Sequence, residues 1–221
     1  MNTLTYKQND VADMQYYIDM DERYRSSGHL MAKKLNLILT LLRPGSRLID
    51  IGCGTGELLL RASEKFQELV GIDNNDNAIN FALRKTDKFR KIKLINRKDC
   101  KIPFPDEYFD NATCLDVLEH MRDSRDCLLE IWRVLKPHSQ LIVTVPNWYD
   151  IINVRFFNRN SFHLQTHSPY RWINILESAG FRKITWRTVD FPIFHSELLS
   201  KHLAILGMCV LILLEKKDKK E

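Results

Sequence analysis

The chain has 221 residues, 44% hydrophobic and 28% charged, with a formal net charge of +5, a balance that excludes a disordered, collagen-like or coiled-coil protein and suits one domain with its own core. Its five cysteines form no Cys-x-x-Cys pair, which excludes a disulfide framework in favour of reduced thiols, and the start carries no secretory pattern, so the expected location is the cytoplasm. Two distributions are uneven: three of eight glycines fall at Gly52, Gly54 and Gly56, and residues 84–101 hold nine Lys or Arg against two Asp, a local +7 that leaves −2 for the remainder.

Residues 1–46 read as a helical preface, with a helix capped by Ser27, carrying Met31, Leu35, Ile38 and Leu42 on its apolar stripe and stopped at Arg43-Pro44-Gly45. Helical and strand periods alternate from Arg47 onward, the pattern of an α/β domain built on a mostly parallel sheet. The first strand is 47–51, followed by a helix over 57–66; the second strand is 69–73, followed by a helix over 77–85. Strands at 92–97 and 109–115 come next. Ser124 is expected to cap a helix whose stripe is Leu128, Ile131 and Leu135, stopped by Pro137.

A fifth, buried strand covers 140–145. Residues 146–168 carry Asn, Arg, His and aromatics without a period and read as an irregular, substrate-covering insertion. Ser168-Pro169 starts a helix that closes at Gly180, and strands at 181–189 and 208–214 end the fold. One domain therefore spans 1–221, with the core at 47–145 and the last part of the sheet within 169–221. The apolar run Leu203 to Leu214 is shorter than the ~20 residues a membrane span needs and reads as a helix end and a strand.

A strand running into Gly52-x-Gly54-x-Gly56 and then a helix makes a tight turn whose bare backbone lets a flat or extended ligand approach the strand end. A dinucleotide fingerprint would put its third glycine at position 57, where Glu57 stands and is expected to repel a pyrophosphate; no Gly-Lys-Ser/Thr phosphate loop follows. Asp73 closes the second strand, suited to the paired hydroxyls of a ribose, and Asp99 is read as ending the third. Three successive strand ends then present the glycine turn, Asp73 and Asp99 to one long nucleoside. The alternative is that each acid caps a turn.

With those residues in view, the sequence resembles the class I S-adenosylmethionine-dependent methyltransferases. The resemblance is carried by LIDIGCGTGEL at 48–58, VGIDN at 70–74, DCKIPFPDEYFD at 99–110, TCLDVLEHM at 113–121 and LKPHSQLIVTVPN at 135–147, with a weaker echo in 162–181. It implies a Rossmann-like seven-stranded sheet whose last strand is antiparallel, flanked by helices on both faces. The implied cofactor is S-adenosyl-L-methionine, with S-adenosyl-L-homocysteine as product. The implied cofactor-binding residues are Asp50, Gly52, Gly54, Gly56, Asp73, Asn74, Asp99, Cys100 and Leu115, with Arg25 or His29 of the preface on the methionine carboxylate. The turn after Leu135-Lys136-Pro137 departs from the family, which usually has glycine where this chain has His138-Ser139.

A sulfonium is a good leaving group, so the protein needs chiefly to align a nucleophile behind the methyl carbon. An oxygen acceptor must also lose a proton, and His163, His167 and His120 are the catalytic candidates, beside Asp116 and Glu119. Each histidine has a structural alternative as a surface or capping residue. Asp116, Glu119 and His120 have ligand chemistry, but loop structure explains them equally, and no metal is expected. The strand-four exit, Leu115-Asp116-Val117-Leu118, lacks the Asn/Asp-Pro-Pro-aromatic run of amide and nucleobase nitrogen methyltransferases. The favoured reading is methyl transfer to an oxygen, then nitrogen or carbon, of a small molecule.

The alternatives are an RNA methyltransferase and a non-catalytic S-adenosylmethionine-binding module. The +7 window reads as lysine protection of an edge strand instead of a nucleic-acid surface. The basic end, Lys216 to Lys220, allows membrane association or, more simply, is the solvated end of a strand.

Overall fold

The structure, a computed structural model, describes residues 3–26, 30–147, 164–165, 167–189 and 209–218. It divides into two compact units, Met1–Asp99 and Cys100–Glu221. The first unit contains α1 (Thr3–Arg25), α2 (Leu30–Leu41), β1 (Arg47–Ile51), α3 (Glu57–Ala62), β2 (Glu68–Asp73), α4 (Asp76–Thr86) and β3 (Ile92–Asn96). β1 and β2 are parallel in the register Ile51↔Ile72, and β2 and β3 are parallel in the register Asp73↔Asn96. The preface is thus two helices. Leu35, Ile38 and Leu42 of its predicted stripe are buried, Met31 is half-buried, and Ser27 lies outside the described residues.

Helix α3 is shorter than the period suggested, ending at Ala62 instead of Phe66. The amides of Gln67 and Glu68 both donate to the Ser46 carbonyl at 2.9 and 3.0 Å, which draws the chain back to the start of β1. Phe66 remains buried in that turn. Helix α4 starts where Asn75 caps it, its Oδ1 accepting from the amides of Asn77 and Ala78 at 2.8 and 3.2 Å.

The second unit contains β4 (Phe109–Leu115), a 3₁₀ turn (Leu118–His120), α5 (Arg125–Val134), β5 (Leu135–Pro146), α6 (Pro169–Ser178), β6 (Phe181–Val189) and β7 (Cys209–Lys216). β4 and β6 have the bounds expected from sequence. Ser168 caps α6 as predicted, accepting from the Arg171 amide at 3.3 Å, with Pro169 opening the helix. Ser124 occupies the cap position of α5 without a side-chain cap bond. Asp123 supplies it instead, its Oδ1 accepting from the Arg125 amide at 2.9 Å.

The boundary between α5 and β5 corrects the sequence reading. Leu135 is extended and pairs opposite Phe109, while Asn111 pairs opposite Gln140, so Lys136–Ser139 bulges out of the ladder and Pro137 sits in that bulge without breaking the strand. His138, where the family usually has glycine, has φ 57° and lies 3.2 Å from the Asp218 carboxylate. A second correction concerns the C-terminal lysines: Lys216 is not solvated. It is 2% exposed, donates to the Leu135 carbonyl at 2.5 Å and stands 4.1 Å over the Trp132 ring.

The strands form a seven-stranded mixed sheet in the order β3-β2-β1-β4-β5-β7-β6. β4 and β5 are parallel, whereas β7 is antiparallel to both β5 and β6. This is the Rossmann-like arrangement implied by the resemblance, with β3 at an edge. Its buried strands read as near-continuous apolar runs, Val210 to Leu214 above all.

Gly71, in the middle of β2, is required by packing. A Cβ there would lie 2.7 Å from Leu59 of α3, 2.8 Å from Cys53 of the turn after β1 and 2.8 Å from Leu94 of β3. Gly71→Ala is expected to destabilise the protein by about 2 kcal/mol through overpacking. Thermal unfolding checks it, and an unchanged midpoint would contradict this account of the β2 face.

Candidate functional site

The turn after β1 is built by backbone geometry. Gly52, Gly54 and Gly56 have φ 72°, 50° and 72°, a region L side chains adopt only under strain. The amides of Gly52 and Cys53 both donate to the Ile72 carbonyl at 2.7 and 3.1 Å, and Gly56 N donates to the Cys53 carbonyl at 2.9 Å. The loop therefore folds against the end of β2. Asp73 completes the attachment: its Oδ2 accepts from Gly54 N and its Oδ1 from Asn75 N, each at 2.9 Å.

Those two bonds fix the Asp73 carboxylate without exhausting it. An ionised carboxylate has about four lone-pair sites, so each oxygen can still accept a hydroxyl proton from a ribose. Space is available beside it, since a Cβ on Gly54 would meet only the Met20 side chain, 4.0 Å away. The local field is negative as well. The Cys53 thiol is pushed well up by burial, then by the neighbouring carboxylates of Asp50 and Asp73. A loop flanked by two carboxylates, one of them buried Asp50, fits a ligand with a sulfonium charge and vicinal hydroxyls.

Glu57 has a different role from the one sequence suggested. It is buried and both its oxygens are engaged, Oε1 by Arg61 Nε at 2.7 Å and Oε2 by Lys85 Nζ. Lys85 also pairs with Asp21 of α1, and Arg61 donates to the Tyr24 carbonyl at 2.6 Å. Burial raises the Glu57 carboxyl, but the bonds from Lys85 and Arg61 outweigh it and hold the group below the usual carboxylate range. Its charge is compensated, so repulsion of a pyrophosphate does not follow from it. Sequence reasoning missed this four-residue network because its members are 64 and 28 positions apart in the chain.

The other expected residues are dispersed. Asp99 does not end β3, which stops at Asn96; its carboxylate is gripped by the Arg97 guanidinium through two bonds of 2.7 Å, which raise the Arg97 pKa. The pair is partly exposed and can exchange for a ligand. Asn74 is exposed beside Asp73. Arg25 pairs with Asp21 of its own helix at 2.8 Å, and His29 lies outside the described residues. In the second unit Cys100 contacts Cys127, whose thiol is pushed up to about 12 by burial and then by Cys100. Leu115 closes β4, half-buried.

Of the catalytic candidates, His163 lies outside the described residues, as do the aromatics of the predicted insertion. His120 is about half exposed, its Nε2 4.0 Å from Glu119. His167 has Nε2 3.2 Å from Gln165 Oε1 and its ring 5.0 Å from that of Trp172. Asp116 takes φ 55° just beyond β4, and its Oδ1 accepts from Thr144 Oγ1 at 2.8 Å. Among the described residues no three His, Cys, Asp or Glu side chains converge as a metal site.

A methyltransferase domain model matches residues 49–143, the stretch that holds the glycine turn, Asp73 and the β4 exit. Over that stretch the chain is similar to the methyltransferase domain family. It is similar to a demethylmenaquinone methyltransferase of Listeria welshimeri, 25% identical over 71% of this chain and 73% of that one. It is 30% identical to a ubiquinone/menaquinone biosynthesis C-methyltransferase of Vibrio campbellii over 58% of this chain and 51% of the relative. A solved S-adenosylmethionine-dependent methyltransferase of Aquifex aeolicus shares the fold, with 19% identity, 92% and 98% of the two chains covered and a TM-score of 0.65.

The turn and Asp73 suit S-adenosylmethionine, the cofactor expected from the sequence. Asp73→Ala is expected to weaken its binding about 30-fold, from loss of charge-assisted acceptors and of the loop's anchor; calorimetric titration checks this. Wild-type affinity would remove Asp73 from the site. For Glu57 the lowered folded pKa means a stabilisation complete above the unfolded carboxylate pKa and lost as pH falls through the folded one. Glu57→Gln is therefore expected to cost about 2 kcal/mol at pH 7 and progressively less as pH falls below the ordinary carboxylate range, measured by urea unfolding across pH.

Proposed function

We propose that this chain is a class I S-adenosylmethionine-dependent methyltransferase acting on a small molecule, and that its acceptor is a ring carbon of a quinol-type aromatic. The observation that carries the reading is the similarity, over 71% of the chain, to a protein named as a demethylmenaquinone methyltransferase; another relative is named as a C-methyltransferase. The sequence reading put oxygen first, and these names favour carbon. The β4 exit supports a small acceptor without an amide: Leu115-Asp116-Val117-Leu118 offers no Pro-Pro-aromatic clamp, and the Asp116 carboxylate is committed to Thr144.

Bound S-adenosylmethionine supplies an electrophilic methyl on a sulfonium leaving group. In this reading the chain's part is positional: the glycine turn admits the cofactor close to the backbone, Asp73 accepts its hydroxyl protons, and Asp50 and Asp73 give the surroundings a negative sign. A ring carbon flanked by phenolic hydroxyls becomes nucleophilic when a phenol loses its proton, and His120, His163 and His167 are our assignments for receiving it.

RNA has little support as the acceptor. Within the basic window Lys85 is buried against Asp21 and Glu57, Lys93 pairs with Glu68 at 2.7 Å, Arg97 with Asp99, and Lys98 with Asp76 at 3.5 Å. These cations serve internal pairs and an edge strand. Incubation with S-adenosylmethionine, reduced demethylated quinones, catechols and RNA in parallel tests the reading. The expected product is a quinol one methyl heavier, with the label on a ring carbon by NMR. Methyl on oxygen alone, transfer to RNA alone, or cofactor binding without any transfer would each overturn it.

A further inference from the structure

The second unit carries a groove of about 860 Å³ between the first half of α5 and the length of α6. That volume lies in the range of small-ligand sites, roughly 300–1,000 Å³. Its chemistry is divided. Arg122 and Arg125 reach it from the start of α5 and Arg171 from the first turn of α6, while Leu128, Leu129 and Ile175 give it an apolar wall.

The three guanidinium groups are exposed and none makes an ion pair or side-chain hydrogen bond with a described residue. Arg133, at the other end of α5, is the contrast. Its guanidinium bonds Glu130 and Asp106 and two backbone carbonyls, and its pKa is raised by Glu130 first. Among its described lining residues the groove holds one carboxylate, Asp123, whose Oδ1 accepts from the Arg125 amide. Three cations against one anion leave positive charge, and both helices begin here, adding their N-terminal dipoles to it.

The apolar side is also unspent. Leu129 is 45% exposed and Leu164 59% exposed within the same groove. The wall that carries Leu164 is fixed by the fold: the amides of Leu164 and Gln165 donate to the Glu119 carbonyl at 2.7 and 3.0 Å. Gln165 Nε2 donates to the carbonyls of Met121 and Arg122, each at 2.8 Å. Guanidinium forks on one side and open leucines on the other match a ligand that is anionic at one end and aliphatic at the other.

We propose that this groove binds an amphiphile with a phosphate or carboxylate head and an aliphatic chain, the head on Arg122, Arg125 and Arg171 and the chain along Leu129, Leu164 and Ile175. None of these residues belongs to the glycine turn or its acids, and the proposal does not depend on the identity of the methyl acceptor. Head and tail are both required: the forks give orientation and the leucines supply the gain from leaving water.

The test is calorimetric titration of the full chain with n-decyl phosphate, decanol and inorganic phosphate, with S-adenosylmethionine affinity as the control for folding. Decyl phosphate is expected to bind at least about tenfold more tightly than either fragment, weakening with salt. Arg125→Gln combined with Arg171→Gln is expected to cost about tenfold or more, and Leu129→Gln about fivefold, with cofactor affinity unchanged. No binding of decyl phosphate, inorganic phosphate binding equally well, or binding indifferent to both variants overturns the proposal. Cosedimentation with phosphatidylglycerol against phosphatidylcholine vesicles separates the sources. Vesicle binding lost in the arginine variant assigns the head to a bilayer lipid, and decyl phosphate binding without vesicle binding assigns it to a soluble amphiphile; either supports the shared chemistry.

Discussion

The hydrogen bond from the Gly54 amide to the Asp73 carboxylate is the contact on which the glycine turn depends. β1 and β2 run parallel with Ile51 opposite Ile72, so Asp73 stands one residue beyond the last pair, level with the chain as it leaves β1. The Gly52 and Cys53 amides are taken by the Ile72 carbonyl, and the next free amide is that of Gly54. Its positive φ turns the amide toward the acid. A side chain at 54 would strain that turn, and a neutral residue at 73 would leave the loop without a charged acceptor. The same carboxylate that shapes the loop keeps lone pairs for the proposed ribose, so in that reading binding and local structure cannot be changed independently there.

Charge in this protein divides by whether it is spent. Of the nine cations in the +7 window, Lys85, Lys93, Arg97 and Lys98 are paired. Two of the groove arginines lie in a stretch of zero net charge, Arg122 to Asp126, and neither their guanidinium groups nor that of Arg171 has a partner among the described residues. Local net charge therefore did not single out the groove. What matters for an anionic ligand is a cation without a carboxylate within reach, and that is set by packing between helices distant in sequence.

Much of the fold was legible because its strands are apolar or β-branched and aromatic stretches bounded by polar turns. Phe109–Leu115 and Phe181–Val189 were fixed by such bounds. The misjudged boundary shows the limit. Pro137 ordinarily stops a helix, but α5 had already ended, and Leu135 had entered the ladder opposite Phe109. A bulge absorbed both the proline and a positive-φ histidine, and nothing local in Lys136-Pro137-His138-Ser139 separates a bulge from a turn between elements. At the site, Gly52 to Gly56 and Asp73 were legible because turn chemistry is local. The partners of Glu57 and Asp99 were not, since a carboxylate's sequence neighbours do not say which distant or adjacent cation will take it.

Glu57 carries that lesson into specificity. The sequence argument used its charge to exclude a dinucleotide, but with Lys85 and Arg61 on its two oxygens the carboxylate is internal. Close packing at the start of α3 is supplied by Gly56, where a Cβ would approach Ala82 to 3.3 Å, so α3 is seated against α4 one residue earlier than a dinucleotide fingerprint would have it. The network also joins α1 to both helices through Asp21 and the Tyr24 carbonyl, which brings Met20 to 4.0 Å from the Cβ position of Gly54. The cofactor edge is thus bounded by a methionine on one side and held open by bare glycine backbone on the other. Choice among nucleotides at this turn follows from shape and from the acids Asp50 and Asp73, whose negative field disfavours a pyrophosphate and favours a sulfonium.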